Sequence, residues 1–288
     1  MPAAHRTGLS GVDAQDDFLR ARRRQMLARA GRVLTRERGD VDVILPFDEV
    51  VAALGRLDEH ELGLQVVALD TIVGTTDRLS GFDRQFRPTS ARVRGRWERI
   101  AAAMHRGEPM PPISLYRVGE AHFVRDGHHR VSVARALGWR VMDARVTEVR
   151  TRVGAGRDLR LADLPMKSHE RLFRERVPLS PERAERIVLS DPTAYGSLAE
   201  GVEAWGFRQM QELGDLLNRA QVAEQWFDNE FEPVVELLRG AGLMDGGGTE
   251  GDAYHRLACR RYELTRSWDW SDEVLEALRT DRALPIRH

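Results

Sequence analysis

The sequence predicts an α+β protein, with a mixed α/β segment over residues 41–150 followed by an all-helical segment over 159–288. Three observations carry this. Short β-branched runs alternate with amphipathic stretches between Val41 and Val149. The pair Gly119-Glu120 separates two such runs, Ile113 to Val118 and Ala121 to Arg125, as a hairpin turn does. From Asp163 onward the alternation is lost and apolar residues recur at helical spacing.

The N-terminal 1–40 reads as a basic helix. From Asp13 to Arg38 acids come first (Asp13, Asp16, Asp17) and arginines follow (Arg20, Arg22, Arg23, Arg24, Arg29, Arg32, Arg36, Arg38), an order that suits the helix dipole. Phe18, Met26, Ala30 and Val33 give it an apolar stripe, and the Arg20–Arg38 face is a candidate contact for DNA or a protein partner. Val41 to Leu45 is a short strand, and Phe47 to Leu57 a helix. Gly63 to Leu69 is a strand running into a loop from Asp70 to Arg78 rich in hydroxyls, glycine and charge. Gly81 to Pro88 is an ordered loop, and Arg92 to His105 a helix with Val93, Trp97, Ile100 and Ala101 on one face. After the hairpin, a helix opens at Asp126 and stops at Gly138. Val141 to Val149 is the last strand, and residues 151–158 form a linker with Gly154 and Gly156. The expected C-terminal helices are Pro181 to Leu189, Tyr195 to Trp205, Phe207 to Asn218, Ala220 to Gly240 and Asp252 to Trp268, with a flexible loop from Asp245 to Gly251. Trp205, Phe207, Trp226, Phe227 and Phe231 are expected in their core.

Composition narrows the function classes. Hydrophobic residues make up 42% and charged residues 31% of the 288, which is the balance of a soluble globular chain. No apolar run reaches membrane-spanning length, and Met1 to Arg6 lacks the apolar core of a secretory signal, so a cytoplasmic protein is expected. Cys259 is the only cysteine, which excludes an internal disulfide and a multi-thiolate zinc site. Lys167 is the only lysine, and no glycine pattern precedes it, so a Walker A loop is absent. Kinase catalytic-loop and G-x-S-x-G signatures are absent too, and Gly154-Ala155-Gly156 lacks the third glycine of a dinucleotide fingerprint.

The chemistry concentrates in one stretch, Asp126-Gly127-His128-His129-Arg130, placed where a strand turns into a helix. With Asp126 as the N-cap, the carboxylate would accept from the first helical amides, and Gly127 would admit a ligand close to the backbone. The helix start offers free N–H groups, a positive dipole end, two imidazoles and a guanidinium, which are the parts of an anion site. A metal site from His122, Asp126, His128 and His129 is the alternative. Adjacent helical residues point about 100° apart, which disfavours it.

These residues resemble the ParB N-terminal/sulfiredoxin-like superfamily over residues 66–149, with Asp126-Gly127-His128-His129-Arg130 closest to the box of its free-serine kinases. The resemblance implies a strand–turn–helix clamp on nucleotide phosphates, made by Gly127, His128, His129, Arg130 and Ser132. It also implies a second nucleotide or substrate loop at Gly74-Thr75-Thr76-Asp77-Arg78, with Thr75, Thr76 and Arg78 as contacts. The implied ligand is ATP, ADP or CTP with Mg²⁺. The implied reaction is phosphoryl transfer to a small hydroxyl-bearing molecule, with Asp126, Asp77 and His128 as catalytic groups and Asp126 as the Mg²⁺ contact. A non-catalytic nucleotide-gated regulator binding DNA or protein is the alternative. No helix-turn-helix pattern follows between Asp163 and Arg239, and histidine stands where sulfiredoxins carry their cysteine, so neither DNA segregation nor sulfinic-acid reduction is implied.

Overall fold

The computed structural model describes residues 7–35, 43–77, 81–244 and 248–281, with side chains of the first helix described to residue 31. The chain forms two compact units, Met1–Lys167 and Ser168–His288.

The first unit is built on a six-stranded mixed sheet in the order β1-β3-β5-β4-β6-β2, comprising β1 (Leu45–Pro46), β2 (Arg56–Ala68), β3 (Ile72–Thr75), β4 (Ile113–Val118), β5 (Ala121–Asp126) and β6 (Val141–Thr151). β3 runs parallel to β1 and β5, β4 parallel to β6, and the hairpin β4–β5 and the pair β2–β6 are antiparallel. One face carries α1 (Ser10–Thr35), α3 (Arg94–His105) and α4 (His128–Ala136) over a core that includes Phe18, Trp97, Met104, Ile113, Val124 and Val131. The other carries α2 (Phe47–Leu54) over Leu45, Val50, Phe123 and Val149. Burying both faces explains why β3 and the first four residues of β5 are buried without alternation.

Most expected elements are present, and the differences have local causes. α2 stops at Leu54, before the expected Leu57, because Gly55 takes φ 76° and the chain turns into β2. β2 is longer than the expected run from Gly63, since its charged first half, Arg56 to Leu62, pairs with β6. A register shift between Glu61 and Gly63, where Gly63 takes φ 75°, hides the alternation. β3 replaces part of an expected loop. Its four residues are all buried, with Gly74 pressed so closely that a β-carbon there would lie 2.2 Å from the Phe123 ring and 2.6 Å from the Leu45 carbonyl. Residues 151–158 are packed chain, not a connector: Val153, Ala155 and Leu159 are buried in the α2-side core. The two units divide further on, inside α5 (Leu164–Arg176). The outer part of the expected first strand (41–42), the end of the basic helix (36–38) and the centre of the 245–251 loop (245–247) lie outside the described residues.

The second unit contains the C-terminal part of α5 with α6 (Pro181–Arg186), α7 (Ala194–Leu213), α8 (Arg219–Trp226), α9 (Glu232–Gly240), α10 (Glu250–Thr265) and α11 (Asp272–Thr280). α7 runs through the break expected at Gly206. That glycine faces Val222, whose Cγ1 would lie 2.4 Å from a β-carbon, so its smallness serves packing, and α7 ends instead at Gly214, φ 74°. One π-helical turn, Phe227–Phe231, joins α8 to α9 just before Pro233, whose missing N–H cannot continue the α-helical ladder. Trp205, Trp226, Phe227 and Phe231 are buried as expected, whereas Phe207 is exposed. Among the described residues no helix is long and apolar enough to cross a membrane.

Gly74→Ala must push Phe123 or the β1 backbone aside. We expect a loss of about 1–3 kcal/mol, the usual cost of overpacking, measured as a lower urea midpoint at unchanged m-value. Gly154→Ala is the comparison: that glycine, like Gly74, has no positive φ, but a β-carbon there would meet open space, so its loss should be smaller.

Candidate functional site

The site is made by two adjacent parallel strands that end side by side. β3 pairs with β5 through Gly74–Phe123 and Thr75–Val124, so Thr75 and Thr76 come out beside the turn that opens α4. The turn depends on Gly127, which takes φ 109° at the N-cap position and whose carbonyl accepts from the Val131 amide at 3.0 Å. A β-carbon there would lie 2.5 Å from the Ile113 side chain, so both backbone and space require glycine.

Asp126 does not cap the helix. It is the last residue of β5, and no side chain caps the first turn of α4. Its Oδ2 instead accepts from Arg130 Nη2 at 2.7 Å. The other guanidinium nitrogen, Nη1, donates to the Pro111 carbonyl at 2.5 Å and the Pro112 carbonyl at 3.0 Å. Arg130 therefore clasps the proline-rich approach to β4 onto the turn, and much of its donor capacity is spent on the fold rather than aimed at a ligand. Ser132 is likewise a packing residue. It is buried on α4 and accepts from Trp97 Nε1 at 2.8 Å, pinning α4 to α3.

His128 and Thr75 do come together. His128 Nε2 lies 2.6 Å from Thr75 Oγ1, and both residues are buried. The Thr75 hydroxyl also reaches the Val124 carbonyl at 3.2 Å and accepts from the Asp77 amide at 3.0 Å. With the hydroxyl proton on Val124, His128 donates to Thr75. That assignment follows from the network. Thr76 is held by its amide on the Val124 carbonyl at 3.0 Å. Asp77 is exposed, and its carboxylate lies close enough to His128 to favour the imidazolium. Arg78 lies outside the described residues.

Burial holds the His128 imidazole below its ordinary range, and Arg96 adds to this while Asp77 and Asp126 oppose it. Burial likewise pushes His129 down to about 4, helped by Arg96 and His128. His129 lies edge-on to Phe82, ring centroids 5.2 Å apart. Both imidazoles are thus neutral hydrogen-bonding groups at pH 7. A cation whose charge reaches both imidazoles is Arg96, an exposed residue of α3 that the sequence reading missed. Nothing in its own stretch of sequence marks it, because its place follows from the packing of α3 against α4 through Trp97 and Ser132.

His122 lies one strand-length away on β5. It is buried, its Nδ1 has no hydrogen-bond partner among the described residues, and burial with nearby Arg117 pushes it down to about 4. Among the described residues no three His, Cys, Asp or Glu side chains gather as a metal-holding group, so His122, Asp126, His128 and His129 do not form one. No family model, curated protein or solved structure matches this chain.

The depressed histidines set an acid limit on stability. A group near 4 when folded and 6.5 when unfolded binds fewer protons in the native state across that window. Its stabilisation is therefore complete above pH 6.5 and is lost as pH falls towards 4. Each such group contributes a slope of up to about 1.4 kcal/mol per pH unit, with half-exposed His129 contributing less than buried His122. Urea midpoints between pH 6.5 and 5 should fall more steeply for the native chain than for His122→Leu. Parallel slopes would show that His122 takes up its proton without unfolding.

Proposed function

We propose that the first unit is a ParB N-terminal/sulfiredoxin-like nucleotide-binding domain that holds ATP, ADP or CTP by its phosphates at the start of α4. The observation that carries this reading is the meeting of the β3 end with the α4 N-terminus, sealed by the Thr75–His128 contact at 2.6 Å. The first amides of a helix have no intrahelical acceptors and sit at its positive end. Here they belong to His128, His129 and Arg130, with the Thr76 hydroxyl and Arg96 alongside. Hydrogen bonds to a charged phosphate contribute about 1.5–3 kcal/mol each, so three or four give micromolar binding.

The reaction we assign is phosphoryl transfer to a small hydroxyl-bearing substrate. Asp77 is the better placed carboxylate, since Asp126 is held by Arg130. Asp77 takes the proton of the acceptor hydroxyl as its oxygen bonds to the terminal phosphorus. The phosphorus–oxygen bond to the rest of the nucleotide breaks, and its electrons leave with the departing phosphate. Mg²⁺ is compatible with such a site, because it is bound by one or two carboxylates together with phosphates. Asp77 and Asp126 are the carboxylates that would serve it. Most of the catalysis is then positioning and charge neutralisation.

Calorimetric titration of the full chain with ATP, ADP and CTP in Mg²⁺ tests the clamp; absence of binding to all three would refute it. Arg96→Ser should weaken binding about tenfold, equivalent to the 1.4 kcal/mol of one charged contact. Asp77→Asn should keep binding within threefold while lowering turnover at least a hundredfold. Nucleotide binding without turnover in the native chain supports the regulator instead. That reading is favoured by the outward side of α1, where Leu19, Met26 and Leu27 are exposed beside Arg23 and Arg24.

A further inference from the structure

The first unit contains a second concentration of positive charge that the α4 clamp does not use. A cleft of about 1070 Å³ opens at the other end of the same helix, where α4 finishes in Arg135 and Ala136. The nine residues of α4 set it about 12 Å along the helix axis from the His128 turn. Seven arginines line it against two aspartates, Asp70 and Asp158.

Two of the seven are committed to the fold. Arg135 donates to the carbonyls of Leu69 and Ile72 and lies over the Phe86 ring, 5.3 Å from its centroid. Arg87 is paired with Asp83 at 2.8 Å. The other five, Arg24, Arg84, Arg140, Arg157 and Arg160, come from four separate stretches of chain and converge on one hollow. Asp70 faces Arg157 at 3.8 Å between two exposed side chains, and its charge also reaches Arg135. Arg84 is the most informative. One of its terminal nitrogens donates to the Leu159 carbonyl, while the other, Nη1, is buried with no acceptor among the described residues. A buried charged donor without an acceptor is costly unless something supplies one. Burial and neighbouring Arg160 act against the charge on Arg84 while Asp163 and Asp158 favour it, and an anion in the cleft would add to the favourable side.

We propose that this cleft is a second anion site that takes a compact polyphosphate. Its volume is that of a pocket for one small molecule, and guanidinium forks match phosphate oxygens. A nucleic-acid surface spreads its basic residues along a face or stripe, whereas these surround a hollow. The phosphate chain is the recognised chemistry, whether as free triphosphate or as the tail of a nucleotide. Trp139, 45% exposed on the cleft wall, offers a ring on which a base can stack.

The test is calorimetric titration of the full chain with sodium triphosphate, comparing stoichiometries. Two equivalents are expected, one at α4 and one in the cleft. Arg84→Gln and the double rim variant Arg24→Ser/Arg140→Ser should each lose one equivalent or weaken it at least tenfold, and Arg96→Ser should leave that equivalent within twofold. The rim pair is exposed, so it reads out binding even if Arg84→Gln folds poorly. One equivalent in the native chain and none in the rim variant would sustain the cleft while removing the α4 clamp. Unchanged stoichiometry and affinity in both cleft variants, or no triphosphate binding at all, overturns the proposal. So does a single-stranded oligonucleotide that binds and loses affinity in the rim variant where triphosphate does not bind. ATP binding to Arg96→Ser tenfold tighter than triphosphate identifies a nucleotide as the source; equal affinity identifies the phosphate chain alone.

Discussion

The close approach of β3 to its neighbours is the constraint on which the first unit depends. At Gly74 the backbone lies against the Phe123 ring and the Leu45 carbonyl with no room for a β-carbon. That contact lets a strand of only four residues sit in the middle of a mixed sheet, buried on both faces. It also sets the register that delivers Thr75 beside Val124, one turn from the α4 start. A bulkier residue at 74 would displace the Thr75 hydroxyl from His128, and with it the amide of Asp77. The packing of one glycine and the geometry of the candidate site are therefore the same fact seen at two scales.

A second consequence concerns charge. The sequence places two histidines and an arginine at a helix N-terminus, and counted as cations they make a strongly positive turn. Folding changes their character. Burial favours the neutral imidazole in His128 and His129, and Arg130 is bound by Asp126 and two proline carbonyls. What remains for an anion is the helix end, neutral donors and Arg96. Such a site would hold phosphate mainly by directed hydrogen bonds. An arriving anion would also favour the protonated imidazoles, linking binding to proton uptake.

The parts legible from sequence were those whose signal is local. The Gly119-Glu120 hairpin, the strand–turn–helix box and the Trp97 face of α3 each lie within a dozen residues, and each is present. The parts missed depend on partners far along the chain. The first half of β2 reads as charged loop because its ladder partner, β6, lies some 90 residues away. Asp126 reads as a cap because the sequence cannot show Arg130 reaching it while also clasping Pro111 and Pro112. Residues 151–158 read as a linker from their glycines, yet Val153, Ala155 and Leu159 between and beyond those glycines fill a core.

The arginine cleft is the extreme case of the same rule. Its lining comes from α1, the 84–88 loop, the end of α4 and the 157–160 turn, so no window of sequence contains it. In a chain with one lysine and otherwise only arginines as its basic residues, arginine number carries little information. Position carries it. Many arginines among the described residues are answered by a nearby carboxylate, as Arg117 is by Glu148, Arg150 by Asp58 and Arg176 by Glu203. Exposed pairs of that kind contribute little stability, but they neutralise the surface they occupy. Arg84 has no carboxylate paired with it among the described residues, and its strongest charged neighbour is another arginine, Arg160, with Asp163 and Asp158 acting the other way. Arg24, Arg84, Arg140, Arg157 and Arg160 meet around one hollow with Asp70 and Asp158, and that excess of positive charge is what the proposed anion would answer.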